Sequence, residues 1–305
     1  MKERAIKNAL AIRQAKIDEA KRLAENKQER ALSIPEIASA HSAFLEKHFK
    51  ACRQGGISEI EVEKAHNAYL AALKKHGFSE ENFEYTPLCP ICGDSGNYNG
   101  KTCKCVWNEY IKQLKIVCDI EKKAKFTFAN CNVESISNEA QRATLEKLYA
   151  YMKKYAAKLP DVKTKNIVLS GTVGTGKTCL ASAVARATVE GGKSCKFLSA
   201  YEFNTEMLSC HTSPIAERAN KLHDVLTADL LVIDDLGTEP RLKNVTVEYL
   251  LLVLEERVRA GLCTIITTNL GADGILSRYG ERIYSRLSDK IHSKFFTLSG
   301  NDLRH

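Results

Sequence analysis

Gly171-Thr172-Val173-Gly174-Thr175-Gly176-Lys177-Thr178 constrains this chain more than any other stretch, because it matches G-x-x-x-x-G-K-[ST], the phosphate-binding P-loop. The apolar run Ile167-Val168-Leu169 comes just before it and the helix-like run Leu180-Ala181-Ser182-Ala183-Val184-Ala185 just after. The motif therefore stands between a strand and a helix, as its mechanism requires. Glycines let backbone N–H groups turn inward around a phosphate, and the helix N-terminus adds positive potential. Gly171, Gly174, Thr175 and Gly176 would shape that cradle. Lys177 would reach the β- and γ-phosphates, and the Thr178 hydroxyl would ligate Mg²⁺. The bland alternative is a chance glycine-rich turn, and the flanking strand and helix weigh against it.

A second apolar strand, Leu230-Leu231-Val232-Ile233, ends in Asp234-Asp235. Downstream of a P-loop, an acidic pair at a strand tip is a Walker B arrangement. Asp234 would hold Mg²⁺ through water, and Asp235 would polarise the attacking water. Many ATPases of this class carry Glu at the second position, and Asp is one methylene shorter. Alone, the pair would read as a solvated acidic turn. A third strand, Thr264-Ile265-Ile266-Thr267-Thr268, ends at Asn269. A polar residue there can act as a sensor between γ-phosphate and water, or simply cap the strand. In Gly280-Glu281-Arg282-Ile283-Tyr284-Ser285-Arg286-Leu287, Arg282 and Arg286 share one helix face. An Arg so placed can enter a neighbouring subunit's ATP site and stabilise transition-state charge. A solvated basic face is the commoner meaning of such a pair.

Composition sets the outer limits. A chain of 305 residues can bury a sizeable core and divide into two domains. No apolar run approaches the ~20 residues that span a bilayer, so no membrane association is expected. The charged opening Met1-Lys2-Glu3-Arg4 lacks a signal-peptide core, and a cytoplasmic location is expected. A net charge of +8 permits contact with nucleic acid without establishing it. Eleven cysteines, an odd count, read as reduced thiols plus metal ligands, not as a disulfide framework.

Four of these cysteines cluster, as Cys89-Pro90-Ile91-Cys92 and Cys103-Lys104-Cys105, around the turn-rich stretch 93–102. C-x-x-C offers two thiolates at a tight turn, and C-x-C returns two more after a short excursion. That set suits tetrahedral Zn²⁺ with no open position, hence a structural site. A redox C-x-x-C is the rival reading, and the second pair and the lack of a βαβ context weigh against it. Cys52, Cys118, Cys131, Cys179, Cys195, Cys210 and Cys263 lack such spacing and read as small core or surface residues.

Residues 1–77 read as helices. Ala5, Ile6, Ala9, Leu10, Ile17, Leu23 and Ala24 form a stripe of helical period between charges. Ser33-Ile34-Pro35-Glu36 and Ser58-Glu59-Ile60-Glu61 have the form of capping boxes, and the second helix stops at Gly77. Asn138 to Leu159 predicts one more helix, ended by Pro160. From Lys165 onward strands and helices alternate. The strands are Asn166–Ser170, Cys195–Ala200, Leu230–Asp234, Cys263–Asn269 and Ser293–Leu298, which predicts a five-stranded parallel α/β sheet.

The cysteine module, the P-loop, Leu231-Val232-Ile233-Asp234-Asp235-Leu236-Gly237, Ile266-Thr267-Thr268-Asn269 and Gly280-Glu281-Arg282 with Ser285-Arg286-Leu287 are found in one chain. Only Ser299–His305 follow the last strand, which leaves no room for the helical lid usual in AAA+ ATPases. In this combination the chain resembles the DnaC/DnaI-type replicative helicase loaders of bacteria and phages. The resemblance covers residues 86–305 well and the N-terminal helices only in general style. The ATPase motifs alone are shared with IstB-like transposition helpers and DnaA-like initiators, and the cysteine module separates loader from helper. The resemblance implies an α/β architecture: a lidless P-loop AAA+ domain over 121–305, a zinc module and linker helix over 86–120, and a helical helicase-docking region over 1–85. It implies ATP, Mg²⁺ and Zn²⁺ as cofactors. Asp235, Asn269 and an arginine finger, Arg286, would do the catalysis, and Arg304 would be a sensor-II-like contact to the nucleotide. It also implies a hexameric replicative helicase and single-stranded DNA as partners, with self-association through the ATP site.

DNA-contacting residues are weakly marked. Tyr201 and Phe203 follow the second strand, where aromatics can stack on bases or form the core at a helix start. Arg218, Lys221, Arg241 and Lys243 can touch phosphates. Two functions from different classes stand: a nucleotide-switched helicase loader, and an IstB-like transposition helper. An isolated metabolic NTPase accommodates the cysteine module and the finger arginine less well.

Overall fold

The computed structural model of the chain describes residues 1–54, 58–131, 136 and 138–303. It forms two compact units, Ala9–Glu109 and the remainder, Met1–Asn8 with Tyr110–His305. The helices at the start of the chain are α1 (Lys2–Leu32), α2 (Pro35–Gln54) and α3 (Glu59–Lys75). In the smaller unit Ala31, Ile37, Tyr69, Ala72 and Leu73 form a buried cluster, with Phe44 and Phe78 against it. Fully burying a side chain such as Ile37 or Leu73 contributes about 1.5–3 kcal/mol. Helix α3 ends where glycine permits a left-handed turn, at Gly77 with φ +78°. At its other end Ser58 takes the N-cap position, but no backbone N–H bonds to its side chain; its hydroxyl lies 3.5 Å from the Glu61 carboxylate. The expected capping box is therefore not closed there.

Between the two cysteine pairs, β1 (Asn97–Tyr98) and β2 (Lys101–Thr102) form an antiparallel hairpin. Asn99 and Gly100 both have positive φ, 51° and 74°, as a two-residue Asn-Gly hairpin turn requires. Helix α4 (Lys104–Val117) follows.

The larger unit is an α/β fold. After α5 (Ile120–Lys123) and α6 (Glu139–Lys158) come β3 (Asn166–Gly171), α7 (Lys177–Glu190), β4 (Cys195–Ser199), α8 (Ala200–Thr212) and α9 (Ile215–Thr227). Then come β5 (Leu230–Leu236), α10 (Thr246–Arg259), β6 (Cys263–Thr268), α11 (Ala272–Tyr279), α12 (Glu281–Leu287) and β7 (Ser293–Leu298). The five long strands form one sheet in the order β4-β5-β6-β3-β7, and every pairing is parallel. Ile167, Val168, Leu231, Ile233 and Ile266 are fully buried, as strands covered on both faces must be. The register sets Ser170 beside Thr268 and Ser199 beside Asp234, so the P-loop, the acidic pair and Asn269 all leave the sheet at its carboxyl end. A crevice at the carboxyl ends of parallel strands is where α/β sheets bind ligands. Beyond β7, the described residues 299–303 contain no helix. No described helix is long and apolar enough to cross a membrane.

Candidate nucleotide site and cysteine centre

The P-loop is shaped by three glycines with different reasons to be glycine. At Gly171 an added Cβ would collide with the Leu298 carbonyl of β7. Gly174 and Gly176 hold left-handed φ of 79° and 90°, which L-residues with side chains adopt at a cost. Gly176 caps α7, whose first residue is Lys177. Lys177 is only 5% exposed, and its ammonium donates to the carbonyls of Gly171 (2.9 Å) and Thr172 (2.7 Å). The Thr175 hydroxyl donates to the Thr172 carbonyl at 2.9 Å and stiffens the same turn.

From the end of the loop, Thr178 Oγ1 donates to Asp234 Oδ1 at 3.0 Å. These are a hydroxyl and a carboxylate of the kind that hold Mg²⁺ in P-loop sites. Burial raises the Asp234 pKa above its ordinary value and the neighbouring Asp235 charge adds to it, against hydrogen bonds from Thr267 and Thr178. Strand β5 does not stop at Asp234, as the sequence suggested. A bulge between Ile233 and Leu236 lets it continue, and the ladder resumes with Leu236 opposite Thr268. Asp235 sits in that bulge with φ +57°. Bulges of this kind re-aim side chains next to active sites. Asn269 is exposed at the tip of β6.

Gly174, Gly176, Lys177, Thr178, Asp234, Asp235 and Asn269 line one cavity of about 730 Å³, which is of ligand-binding size. Phe126, Leu145 and Tyr149 give it an apolar side suited to a flat ring. Polar phosphate and metal donors on one wall and aromatic carbon on the other fit a nucleotide with its cation.

The finger candidate stands apart. Arg286 on α12 is 49% exposed and donates through Nε (3.0 Å) and Nη2 (2.8 Å) to Glu255 Oε1 of α10. It does not line the nucleotide cavity of its own chain. Arg304 lies outside the described residues. Its neighbour Leu303 lines the cavity, and the Leu303 amide donates to the Gly174 carbonyl at 2.9 Å.

The DNA-contact candidates separate. Tyr201 is 63% exposed, whereas Phe203 is 3% exposed and packs with Leu198, Met207 and Val225. Two helical steps turn the chain by about 200°, so the residues face opposite ways. Phe203 is therefore a core residue, and the reading of it as a base-stacking platform is corrected. Arg218 closes the α8–α9 junction by donating to the carbonyls of His211 (2.8 Å) and Ser213 (3.0 Å). Lys221 donates to Ser209 Oγ at 2.9 Å, and Arg241 and Lys243 are exposed ahead of α10.

Sequence spacing missed three features here. Cys131 and Cys179 are joined by a disulfide, Cα–Cα 6.7 Å, where isolated thiols were expected. The pair is 48 residues apart in sequence, and the fold brings the segment before α6 onto the first turn of α7. Glu239, in the loop after Asp235, is buried. It accepts from the Gly237 amide (2.9 Å) and the Tyr279 hydroxyl, tying that loop to α11. Thr267 bonds to both members of the acidic pair.

In the smaller unit the four cysteine sulfurs of residues 89, 92, 103 and 105 all lie within 4.8 Å of one another. Cys89 and Cys103 sulfurs are 3.9 Å apart, and those of Cys92 and Cys105 are 3.6 Å apart. A tetrahedron of thiolates at ~2.3 Å from Zn²⁺ has edges of about 3.8 Å, so the donor set and its dimensions fit that ion.

A family model described as IstB-like ATP binding protein matches residues 122–297, more than half of the chain. The chain belongs to the IstB-like ATP-binding family. The curated relatives carry loader names. One is the replicative helicase loader DnaC of Buchnera aphidicola subsp. Acyrthosiphon pisum, 31% identical over 166 residues, covering 52% of this chain and 64% of that one. Another is the replicative helicase loader DnaI of Bacillus subtilis, 27% identical over 236 residues, covering 70% of this chain and 73% of that one. The chain thus spans less than two thirds of the DnaC relative's length. A crystal structure of the DnaC helicase loader is similar at 23% identity and a TM-score of 0.45, over 56% of this chain and 98% of that one.

Proposed function

We propose that the chain is an ATP-dependent loader that binds a replicative helicase and places it on single-stranded DNA, with ATP as the assembly switch. The observation that carries this reading is the reach of the DnaI match. At 70% of the chain it is longer than everything from residue 122 onward. A loader-named relative therefore shares sequence outside the ATPase region. That favours a loader over a transposition helper, the alternative carried by the family model's name.

The site gives the switch its parts. The loop amides and Lys177 bind and orient the triphosphate. Thr178 and Asp234 would hold Mg²⁺, which when bound neutralises charge on the β- and γ-oxygens. Asp235 takes the proton side of the attacking water, and Asn269 aligns that water with the γ-phosphate. Arg286 is away from its own chain's cavity, so it serves a neighbour's ATP once subunits line up. Four thiolates hold Zn²⁺ as a structural centre in the 86–120 module. Residues 1–85 dock the helicase, and residues 121–305 grip single-stranded DNA through Tyr201, Arg241 and Lys243, with Arg218 and Lys221 at the margin. The cytoplasm is the place for such work.

The test is a pull-down of the full chain against a hexameric replicative helicase, followed by helicase transfer to single-stranded DNA with and without ATP. Stoichiometric capture and ATP-dependent transfer are expected. Capture of a transposase in place of the helicase would establish the helper reading.

A further inference from the structure

The cysteine centre has an unusual neighbour on α1. Arg13 Nη2 lies 3.3 Å from Cys105 Sγ and 3.7 Å from Asp94 Oδ1, and the Arg13 side chain is only 14% exposed. Asp94 is itself fixed to the metal-binding loop: it accepts from the amides of Leu88 (2.7 Å) and Cys89 (3.0 Å) and from the Tyr85 hydroxyl. The guanidinium therefore meets an anchored carboxylate on one side and a ligand sulfur on the other. Gly96 lies alongside: its φ is +75°, and a Cβ there would crowd Val106 at 3.1 Å and touch Arg13 Nη1 at an ordinary 3.5 Å. Two more contacts come from the same stretch of α1. The Lys16 ammonium is 3.7 Å from Glu109, and the Lys21 ammonium lies 5.5 Å from the centre of the Tyr85 ring.

Four thiolates around a divalent cation carry a net charge of −2. A half-enclosed site cannot leave that charge to solvent alone, and charge-assisted N–H···S bonds at the ligands are the usual remedy. We infer that Arg13 is the outer cation of this cysteine centre, so that metal binding there secures helix α1 against the module. The inference rests on the zinc reading above and adds to it a consequence for the helix. With the metal bound, Arg13 faces a thiolate with permanent negative charge and α1 is held by it. With the metal removed, the cysteine loop loses the ion that fixes Cys105 beside Arg13, and the contact with Asp94 is left to hold the guanidinium.

The experiment compares full-length wild type, R13Q, R13K and K16Q. Zinc per chain is measured by atomic emission, zinc release by colour change of a pyridylazo-resorcinol chelator, and helix content by circular dichroism. Wild type is expected to carry one zinc. R13Q should release it ~10- to 100-fold faster, the range seen when an outer partner of a metal ligand is lost. R13K, with charge but no planar fork, should fall between the two. K16Q loosens α1 without touching a sulfur and should match wild type. Equal release from R13Q and wild type overturns the inference. Equally fast release from K16Q and R13Q also overturns it, because packing would then explain both. Wild type without zinc overturns the zinc reading and this inference together, which distinguishes the two failures. Hydrogen exchange on wild type provides a measurement that needs no variant. Protection of residues 10–17 should fall when zinc is chelated, and unchanged protection overturns the coupling.

Discussion

Thr267 Oγ1 donates to Asp234 Oδ1 at 2.6 Å, and the same oxygen accepts the amide of Asp235 at 2.8 Å. One hydroxyl on β6 thus fixes both acidic residues at the tip of β5 and holds the bulge between them. Thr267→Val keeps the shape but removes donor and acceptor together. The buried groups left unpaired should cost ~1–3 kcal/mol. At roughly 2–4 °C per kcal/mol for a unit of this size, the melting temperature should drop by several degrees. ATP hydrolysis should fall at least about tenfold with the nucleotide Kd little changed, since 1.4 kcal/mol in a barrier is a factor of ten. Calorimetry and steady-state kinetics check both expectations. A variant with wild-type kcat would mean that the bulge holds itself.

Removing the loop ammonium and removing the second acid should separate binding from chemistry. Lys177→Ala is expected to lose tight ATP binding, because nothing then offsets the phosphate charge in the ground state. Asp235→Asn should bind ATP as wild type does and hydrolyse it slowly. Fluorescent-nucleotide titration and phosphate release distinguish the two. Equal hydrolysis by Asp235→Asn and wild type would move the role of water activation elsewhere.

The position of Arg286 gives a complementation test. On the proposed roles, Arg286→Ala protein should lack the finger and keep an intact site, and Asp235→Asn protein should have the reverse. Each alone should lose the assembly-stimulated rate, and finger arginines are worth about 10³-fold or more in kcat. Mixed, the finger of the second should serve the site of the first, and activity should return. Mixtures as inactive as the separate variants would refute the trans role.

Cys92→Ser should remove zinc and loosen residues of the cysteine module while ATP affinity stays the same. The two sites share no ligand residue, and effects at separate sites add. Metal analysis and limited proteolysis of the full chain report the first part, nucleotide titration the second. Full zinc occupancy in the Cys92→Ser protein would mean that the ion is held elsewhere.

The raised pKa of Asp234 gives an expectation with a definite sign. The folded state favours the neutral acid, so its ionised form is penalised. Below the ordinary carboxylate pKa there is no penalty. It appears as pH rises through that value and is complete above the folded pKa. Without magnesium, Asp234→Asn should therefore melt higher than wild type, by a margin that widens as pH rises from the ordinary carboxylate pKa through the raised folded one. Adding magnesium and ATP should stabilise wild type more than Asp234→Asn. A constant margin across pH would show that ionisation of Asp234 is not the cause.

What could be read in the sequence was what repeats or punctuates locally. All five parallel strands are found within two residues of their expected ends, and the central ones, β3 and β5, announce themselves as nearly unbroken apolar runs buried on both faces. The helix expected from Asn138 starts there, and the Asn138 side chain accepts the Gln141 amide at 3.0 Å, a cap made within one turn. A capping box that went unnoticed, Ser199 with Glu202, lay hidden where the strand runs directly into α8. Phe203 was ambiguous because one aromatic next to another does not say which faces the sheet. Cys131 with Cys179, and Glu239 with Tyr279, depend on elements tens of residues apart meeting in space, and no local spacing encodes that. The bulge at Asp235 was equally invisible, since it depends on the hydroxyl of another strand.

Gly171 bears on how variants of such motifs are interpreted. Its missing side chain makes room for the backbone of β7, whose Leu298 carbonyl occupies the space a methyl group would need. A Gly171→Ala protein would force the outer strand away from β3, and the loop would shift as a result. Its loss of ATP binding would look like a lost phosphate contact in any assay that reads nucleotide alone. Mutational scans of this motif therefore score two different properties along one stretch of sequence: sheet closure at its first glycine, and ligand capture at Lys177.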